Sequence, residues 1–235
     1  MSITNKFLQS VKQHQENKKT TAFSGYLEDY LALIEEDPNI PVLAHKRLYS
    51  QIMSYGMETL DESDERCNKL FNGEPVRVYD YFSDHFFGME RPLEKIMRFL
   101  RSASMRGEES RQVLLLLGPV GAGKSALVEH IKMALEASSR AYVLEGCPIR
   151  EEPLHLIPRS LRASFEEQYN IRIEGDLCPV CRHRLLKEFD GDFTKFPITQ
   201  SSFSIRGRKG VGVVPPMDPN TQDTSLLIGS EDISK

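Results

Sequence analysis

Apolar residues recur at helical spacing near the start of the chain. Leu27, Tyr30, Leu31 and Ile34 fall on one face of a segment that Ser24 can cap and that must end before Pro38. A second helix fits residues 42–55, where Leu43, Leu48, Ile52 and Tyr55 are apolar and Gly56 stands just past the end. From Glu58 to Lys69 the composition turns charged, which suits an exposed helix or a linker. After Val76-Arg77-Val78-Tyr79-Asp80-Tyr81-Phe82 comes an amphipathic helix carrying Leu93, Ile96, Met97, Phe99 and Leu100. The unbroken run Val113-Leu114-Leu115-Leu116-Leu117 predicts a buried strand. The pattern Ala126-Leu127-Val128-Glu129-His130-Ile131 predicts a helix, and Ala141-Tyr142-Val143-Leu144 a second buried strand. Strand, helix and strand in that order call for a parallel sheet with helices on both faces.

Beyond Cys147 the periodicity weakens. Pro148, Pro153 and Pro158 interrupt any long element, and Pro158 can start a short helix over residues 159–169. Residues 202–220 are rich in Gly, Pro and Arg and read as a long loop. No internal repeat is visible.

Composition narrows the class without deciding it. With 235 residues the chain can hold one large or two small domains, and 40% hydrophobic with 27% charged residues is ordinary for a globular protein. A net charge of −4 argues against a dedicated nucleic-acid binder. No apolar run is long enough to span a bilayer, and residues 1–10 lack the apolar core of a signal peptide. Four cysteines in a chain of this size do not suggest a disulfide scaffold, and the expected location is the cytoplasm.

The chemistry sits between the two predicted strands. Gly118-Pro119-Val120-Gly121-Ala122-Gly123-Lys124-Ser125 is a G-x-x-x-x-G-K-S phosphate-binding loop placed after an apolar run and before a helix that Ala126 continues. Its glycines let successive backbone N–H groups turn toward phosphate oxygens, and the helix adds the positive end of its dipole. Lys124 would reach the β- and γ-phosphates and is the candidate catalytic residue. The Ser125 hydroxyl would hold Mg²⁺. The expected ligand is a nucleoside triphosphate, ATP or GTP. No second apolar strand ending in an acid follows residue 125; Ser225-Leu226-Leu227-Ile228-Gly229 has none at its end. The chain therefore reads as the front of a longer protein, with a self-contained degenerate nucleotide-binding module as the alternative.

Three stretches carry a family resemblance. Phe86-Phe87-Gly88-Met89-Glu90-Arg91-Pro92-Leu93-Glu94-Lys95-Ile96 looks like the segment that precedes the phosphate loop in AAA+ ATPases, where the chain wraps the adenine. Together with residues 117–125 and Cys147-Pro148-Ile149-Arg150-Glu151-Glu152-Pro153-Leu154-His155-Leu156-Ile157-Pro158, it resembles the bacterial PrkA family. Its members are called serine protein kinases and carry an N-terminal AAA domain. Asp176-Leu177-Cys178-Pro179-Val180-Cys181, Gly191-Asp192-Phe193 and residues 226–235 are similar to the same family. The resemblance implies an α/β P-loop NTPase fold of AAA+ type, incomplete in this chain and preceded by a small helical subdomain. It divides the chain into a helical region at 1–75 and an ATP-binding domain at 76–235, with a cysteine-containing insertion at about 147–199. It implies ATP with Mg²⁺, a protein substrate, and transfer of the γ-phosphate to serine. The rival is an AAA+ machine that works as a ring of identical subunits and hydrolyses ATP to remodel or help degrade proteins. A third reading is a module that binds nucleotide without hydrolysing it.

Other motifs are weaker. There is no His-Arg-Asp or Asp-Phe-Gly, Phe189-Asp190-Gly191 runs in the wrong order, and residues 207–212 reverse the kinase glycine spacing. Cys178-x-x-Cys181 is half of a zinc site, with Cys147 a third ligand and His155 or His183 a fourth. A redox-responsive pair and ordinary thiols are the competing readings. Arg206, Arg208 and Lys209 are either solvated charge or a basic loop for a protein partner. His14, His45 and His85 have no partner in view.

Overall fold

A computed structural model describes residues 23–214. The first helix, α1 (Leu27–Glu36), buries Leu27, Tyr30 and Ile34. Ser24 does not cap it. Ser24 and Gly25 form a short strand, β1 (Ser24–Gly25), and the helix begins after Tyr26, whose N–H donates to the Asp29 carboxylate at 2.8 Å. Pairing with a distant strand holds Ser24 extended, and that removes it from the helix.

Helix α2 (Ala44–Met53) starts two residues later and ends two residues earlier than the expected 42–55, with Ser54 as the cap. Gly56 still turns the chain at φ 115°, and a Cβ there would stand 2.2 Å from the Asp80 carboxylate. The charged stretch that follows is partly strand. β2 (Met57–Leu60) pairs antiparallel with β3 (Val76–Tyr79), and α3 (Glu65–Phe71) lies between them. Asp64 caps α3 by accepting from the Arg66 N–H, and Asn72 closes it in the left-handed region. After the single turn α4 (Asp80–Ser83), helix α5 (Glu90–Ser104) buries Leu93, Ile96, Met97, Leu100 and Ala103, the stripe its periodicity predicts. This helix packs against α2 and β3, and α2 also contacts α6 (Lys124–Ala137), the helix that opens with the phosphate loop's lysine.

The parallel sheet expected around that loop is not what the described residues form; both sheets are antiparallel. β4 (Ala141–Leu144) is a strand as predicted, but its partner is β5 (Ile198–Ser201), which also receives β1 in the order β1-β5-β4. The apolar run at 113–117 has no strand ladder among the described residues. Val113, Leu115 and Leu117 are 91%, 72% and 84% exposed, and only Leu116 leans on the neighbouring core. Apolar character makes a run eligible for a sheet interior, but strand geometry needs flanking strands to satisfy its backbone.

The principal core lies on the other side of β4. Tyr30, Ile34, Leu144, Cys181, Phe196 and Ile198 are nearly or fully buried there in one cluster. It joins α1 and the small sheet to α7 (Arg159–Tyr169) and α8 (Pro179–Glu188). Tyr142 is met by Phe23 edge-on at 5.1 Å and by Tyr30 at 5.2 Å. Arg47 of α2 is buried and satisfied: it donates to the Ser139 hydroxyl at 2.6 Å, the Ser139 carbonyl at 3.2 Å and the Ile40 carbonyl at 3.0 Å. In the basic loop, Ser204 and Lys209 bridge across a turn, and Arg206, Arg208 and Lys209 are exposed. Residues 215–220 of that loop, the strand candidate at 225–229, the similar stretch at 226–235 and His14 lie outside the described residues. Among the described residues, no helix is long and apolar enough to cross a membrane.

Candidate functional site

The phosphate loop runs from Gly118 into α6. Gly121 and Gly123 take φ values of 83° and 77°, a left-handed geometry that a side chain would strain. Nothing lies within 4 Å of where a Cβ on Gly121 would stand, so the backbone is open on that side. Gly123 is the residue before the first helical turn, and the first backbone bond of α6 runs from Leu127 N–H to its carbonyl. The N–H groups that precede Leu127 therefore have no helical carbonyl behind them, and they lie at the positive end of a 14-residue helix. Pro119, Val120, Ala122, Ser125 and Ala126 are exposed around this turn, Val120 fully so. Lys124 folds back over the loop and donates its Nζ to the carbonyls of Gly118 at 2.8 Å and Pro119 at 2.6 Å. An ammonium with no carboxylate partner among the described residues and an open cradle of backbone donors fit a polyphosphate chain. The Ser125 hydroxyl is exposed one residue further on.

What fixes this helix is a set of aromatic contacts from the segment before α5. Tyr81 donates its hydroxyl to the His130 carbonyl at 2.7 Å. The His130 ring lies 4.5 Å from His85 and 5.1 Å from Phe86. Burial lowers the His130 pKa, and the neighbouring His85 lowers it further. Met89 Sδ would be 3.6 Å from a Cβ at Gly123, so Met89 borders this loop. Phe87 beside them is 82% exposed.

A second constellation forms beyond β4. Cys147, Glu151, Cys178 and Cys181 bring one donor atom each to within 4.8 Å of all the others. Cys147 and Glu151 share a turn: the Glu151 N–H donates to Cys147 Sγ at 3.4 Å, and Cys147 Sγ lies 3.8 Å from Glu151 Oε2. Cys178 caps α8, its sulfur accepting from the Cys181 N–H at 3.3 Å, and its own N–H donates to Glu151 Oε1 at 2.7 Å. Burial pushes the Cys181 thiol pKa well above its ordinary value, and the adjacent thiols Cys147 and Cys178 push it further. The three predicted cysteines are thus together, but neither predicted histidine completes them. His183 is exposed on α8. His155 stands behind Glu151, with Nδ1 at 3.2 Å from Oε1 and Nε2 at 2.6 Å from the Glu174 carbonyl. Glu151 was legible in principle, as the fourth residue after Cys147. An isolated glutamate at that spacing carries no signal until the fold brings Cys178 and Cys181 to it.

Neighbouring charges hold this turn in place. Tyr30 of α1 donates its hydroxyl to Glu152 Oε1 at 2.5 Å, and burial raises the pKa of both groups. Asp176, two residues before Cys178, is gripped by Arg159 and Arg162 of α7; the hydrogen bond from Arg159 holds its carboxyl down to about 2.

The PrkA AAA domain model matches residues 25–235. The chain is 35% identical over 233 residues to a Bacillus subtilis (strain 168) protein named ATP-dependent protease PrkA, covering 97% of this chain and 35% of that relative. It is 32% identical over 233 residues to the Escherichia coli (strain K12) serine/threonine kinase YeaG, covering 95% of this chain and 35% of that relative. The chain thus spans about a third of the length of these curated relatives. No solved structure matches it. With a family model matching nearly all of its length, this chain belongs to the PrkA AAA domain family.

Proposed function

We propose that this chain is the ATP-binding part of an AAA-type enzyme that acts on proteins and cleaves the γ-phosphate of ATP. The observation that carries the reading is the open glycine turn at 118–123, with Lys124 and a helix N-terminus behind it. Backbone N–H groups of the turn bind and orient the phosphates. Lys124 exchanges its two carbonyl partners for β- and γ-phosphate oxygens and stabilises the charge that builds as the terminal P–O bond breaks. Ser125 would offer its hydroxyl to Mg²⁺, which when bound neutralises charge on the same oxygens. Met89 borders the loop, and with Phe86 beside His130 it marks residues 85–89 as the candidate adenine-side wall.

Water is the acceptor we favour. One relative at 35% identity is named an ATP-dependent protease. A second reading, transfer to protein serine, is favoured by the name of the relative at 32% identity. Both begin with the same bound phosphate and differ only in what attacks it.

The test uses γ-labelled ATP, the protein at its natural length and a protein extract, counting label on serine and label released as phosphate in the same tubes. Label released as phosphate, abolished by Lys124→Ala, supports ATP hydrolysis. Lys124-dependent label on serine would establish the kinase instead. No turnover with tight ATP binding would leave a nucleotide-sensing module.

A further inference from the structure

The described structure holds one cluster of soft ligands, and it lies outside the phosphate site. We propose that Cys147, Cys178, Cys181 and Glu151 form a structural zinc site in which a carboxylate, not a histidine, is the fourth ligand.

The geometry is close to what zinc requires. Zn–S bonds of about 2.3 Å and Zn–O bonds of about 2.0–2.2 Å set tetrahedral edges of roughly 3.5–3.8 Å. Cys147 Sγ and Glu151 Oε2 are already 3.8 Å apart, and all four donors fall within 4.8 Å. Ordinary rotamer adjustment closes that difference. The carboxylate is aimed correctly: Oε1 is occupied by the Cys178 N–H and His155, so Oε2 is the atom left facing the cysteines.

The backbone around the sulfurs offers donors to metal-bound thiolates. Cys178 and Cys181 sit at the N-terminus of the ten-residue helix α8, where the helix dipole favours negative charge. The N–H groups of Glu151 and Cys181 point at the sulfurs of Cys147 and Cys178. His155 supplies an outer support of the kind that orients metal ligands. Its Nε2 faces a carbonyl that can only accept, so Nε2 donates, while Nδ1 lies 3.2 Å from Glu151 Oε1. The His155 ring packs on Gly175, where a Cβ would come within 3.0 Å, and this fixes its orientation.

The site has a structural task. Cys147 and Glu151 lie on the turn after β4 and Cys178 and Cys181 at the start of α8, and one 3-10 turn (Pro153–Leu156) and helix α7, joined by loops, stand between them. A tetrahedral ion would tie these segments directly. All four positions are taken by protein ligands, so the ion has no open site for chemistry.

The test is elemental analysis of the natural-length protein purified without chelator or immobilised metal. One zinc per chain is expected. The triple variant Cys147→Ser/Cys178→Ser/Cys181→Ser should fall to background, while Lys124→Ala keeps its zinc, which separates this site from the nucleotide reading. Replacement by Co²⁺ should give the thiolate charge-transfer bands and intense visible bands of a tetrahedral sulfur-rich site, and Glu151→Gln should alter the visible bands. His155→Ala should weaken zinc retention against a competing chelator by about 10–100-fold. If the triple variant fails to fold, the wild-type content decides alone. Native protein without zinc overturns the proposal, whether it carries free thiols, a disulfide read as a loss of two hydrogens in mass, or iron. A cobalt spectrum unmoved by Glu151→Gln overturns the assignment of the fourth ligand.

Discussion

Strand β4 separates two sites built on different terms. Upstream, the candidate phosphate loop is a local object: eight consecutive residues and one helix end make it up, and its flank is an apolar run that stands largely in solvent. Downstream, the cysteine cluster draws on residues 147 to 181, bracketed by a core that reaches from Leu27 to Ile198. A site made by backbone turning can be read and retained with few tertiary contacts. A site made by converging side chains exists only if the core around it is intact.

The largest effect that would test this contrast is chemical. Lys124→Ala should lower γ-phosphate release at least about a hundredfold, with thermal stability unchanged, because its ammonium touches only loop carbonyls. Unchanged turnover in a phosphate-release assay would remove the phosphate loop from the mechanism.

Stability should show the reverse asymmetry. Phe196 is fully buried, beneath the Arg184 guanidinium at 4.9 Å and beside Phe189. Phe196→Ala should cost about 3–5 kcal/mol in denaturant unfolding of this chain. Leu115→Ala, at a position 72% exposed, should change it by no more than about 0.5 kcal/mol. Equal losses at both positions would mean that residues 113–117 are packed, and the contrast would fail.

A smaller effect concerns pH. Burial raises the Glu152 pKa in the folded chain above its ordinary value near 4.5. The folded state then keeps a proton that the unfolded chain releases, so this group's contribution to stability falls as pH rises from about 4.5 through the folded pKa. Glu152→Gln should flatten that part of a stability–pH curve. The smallest effect is at Asp176, held ionised down to about 2 by Arg159. Its depressed pKa adds stability above the ordinary carboxylate range that is lost as pH falls toward 2. Asp176→Asn should lower stability slightly at neutral pH and remove a small, salt-sensitive part of the acid transition.

Legibility in the sequence followed the same division. The glycine turn leading into α6, the buried stripe of α5, strand β4 and the helix after Pro158 are readable, because each depends on neighbours within a few residues. The parallel sheet was not: β4 finds β5 more than fifty residues later and pairs with it antiparallel, while Leu115 is left without a ladder. Hydrophobicity marks what can be buried, not which strand will cover it. Glu151 escaped for a related reason, since a carboxylate becomes a candidate ligand only when the fold supplies the thiols. Ser24 was misjudged as a helix cap because nothing local announces its pairing with Thr199.

The most direct measurement is equilibrium binding of ATP with Mg²⁺ to the natural-length protein by calorimetry, comparing wild type, Lys124→Ala and the triple cysteine variant. ATP should bind the wild type in one-to-one ratio, bind the cysteine variant where that variant remains folded, and lose most of its affinity with Lys124→Ala. Binding that is equally tight with and without Lys124 would contradict the central claim that this loop holds the nucleotide's phosphates.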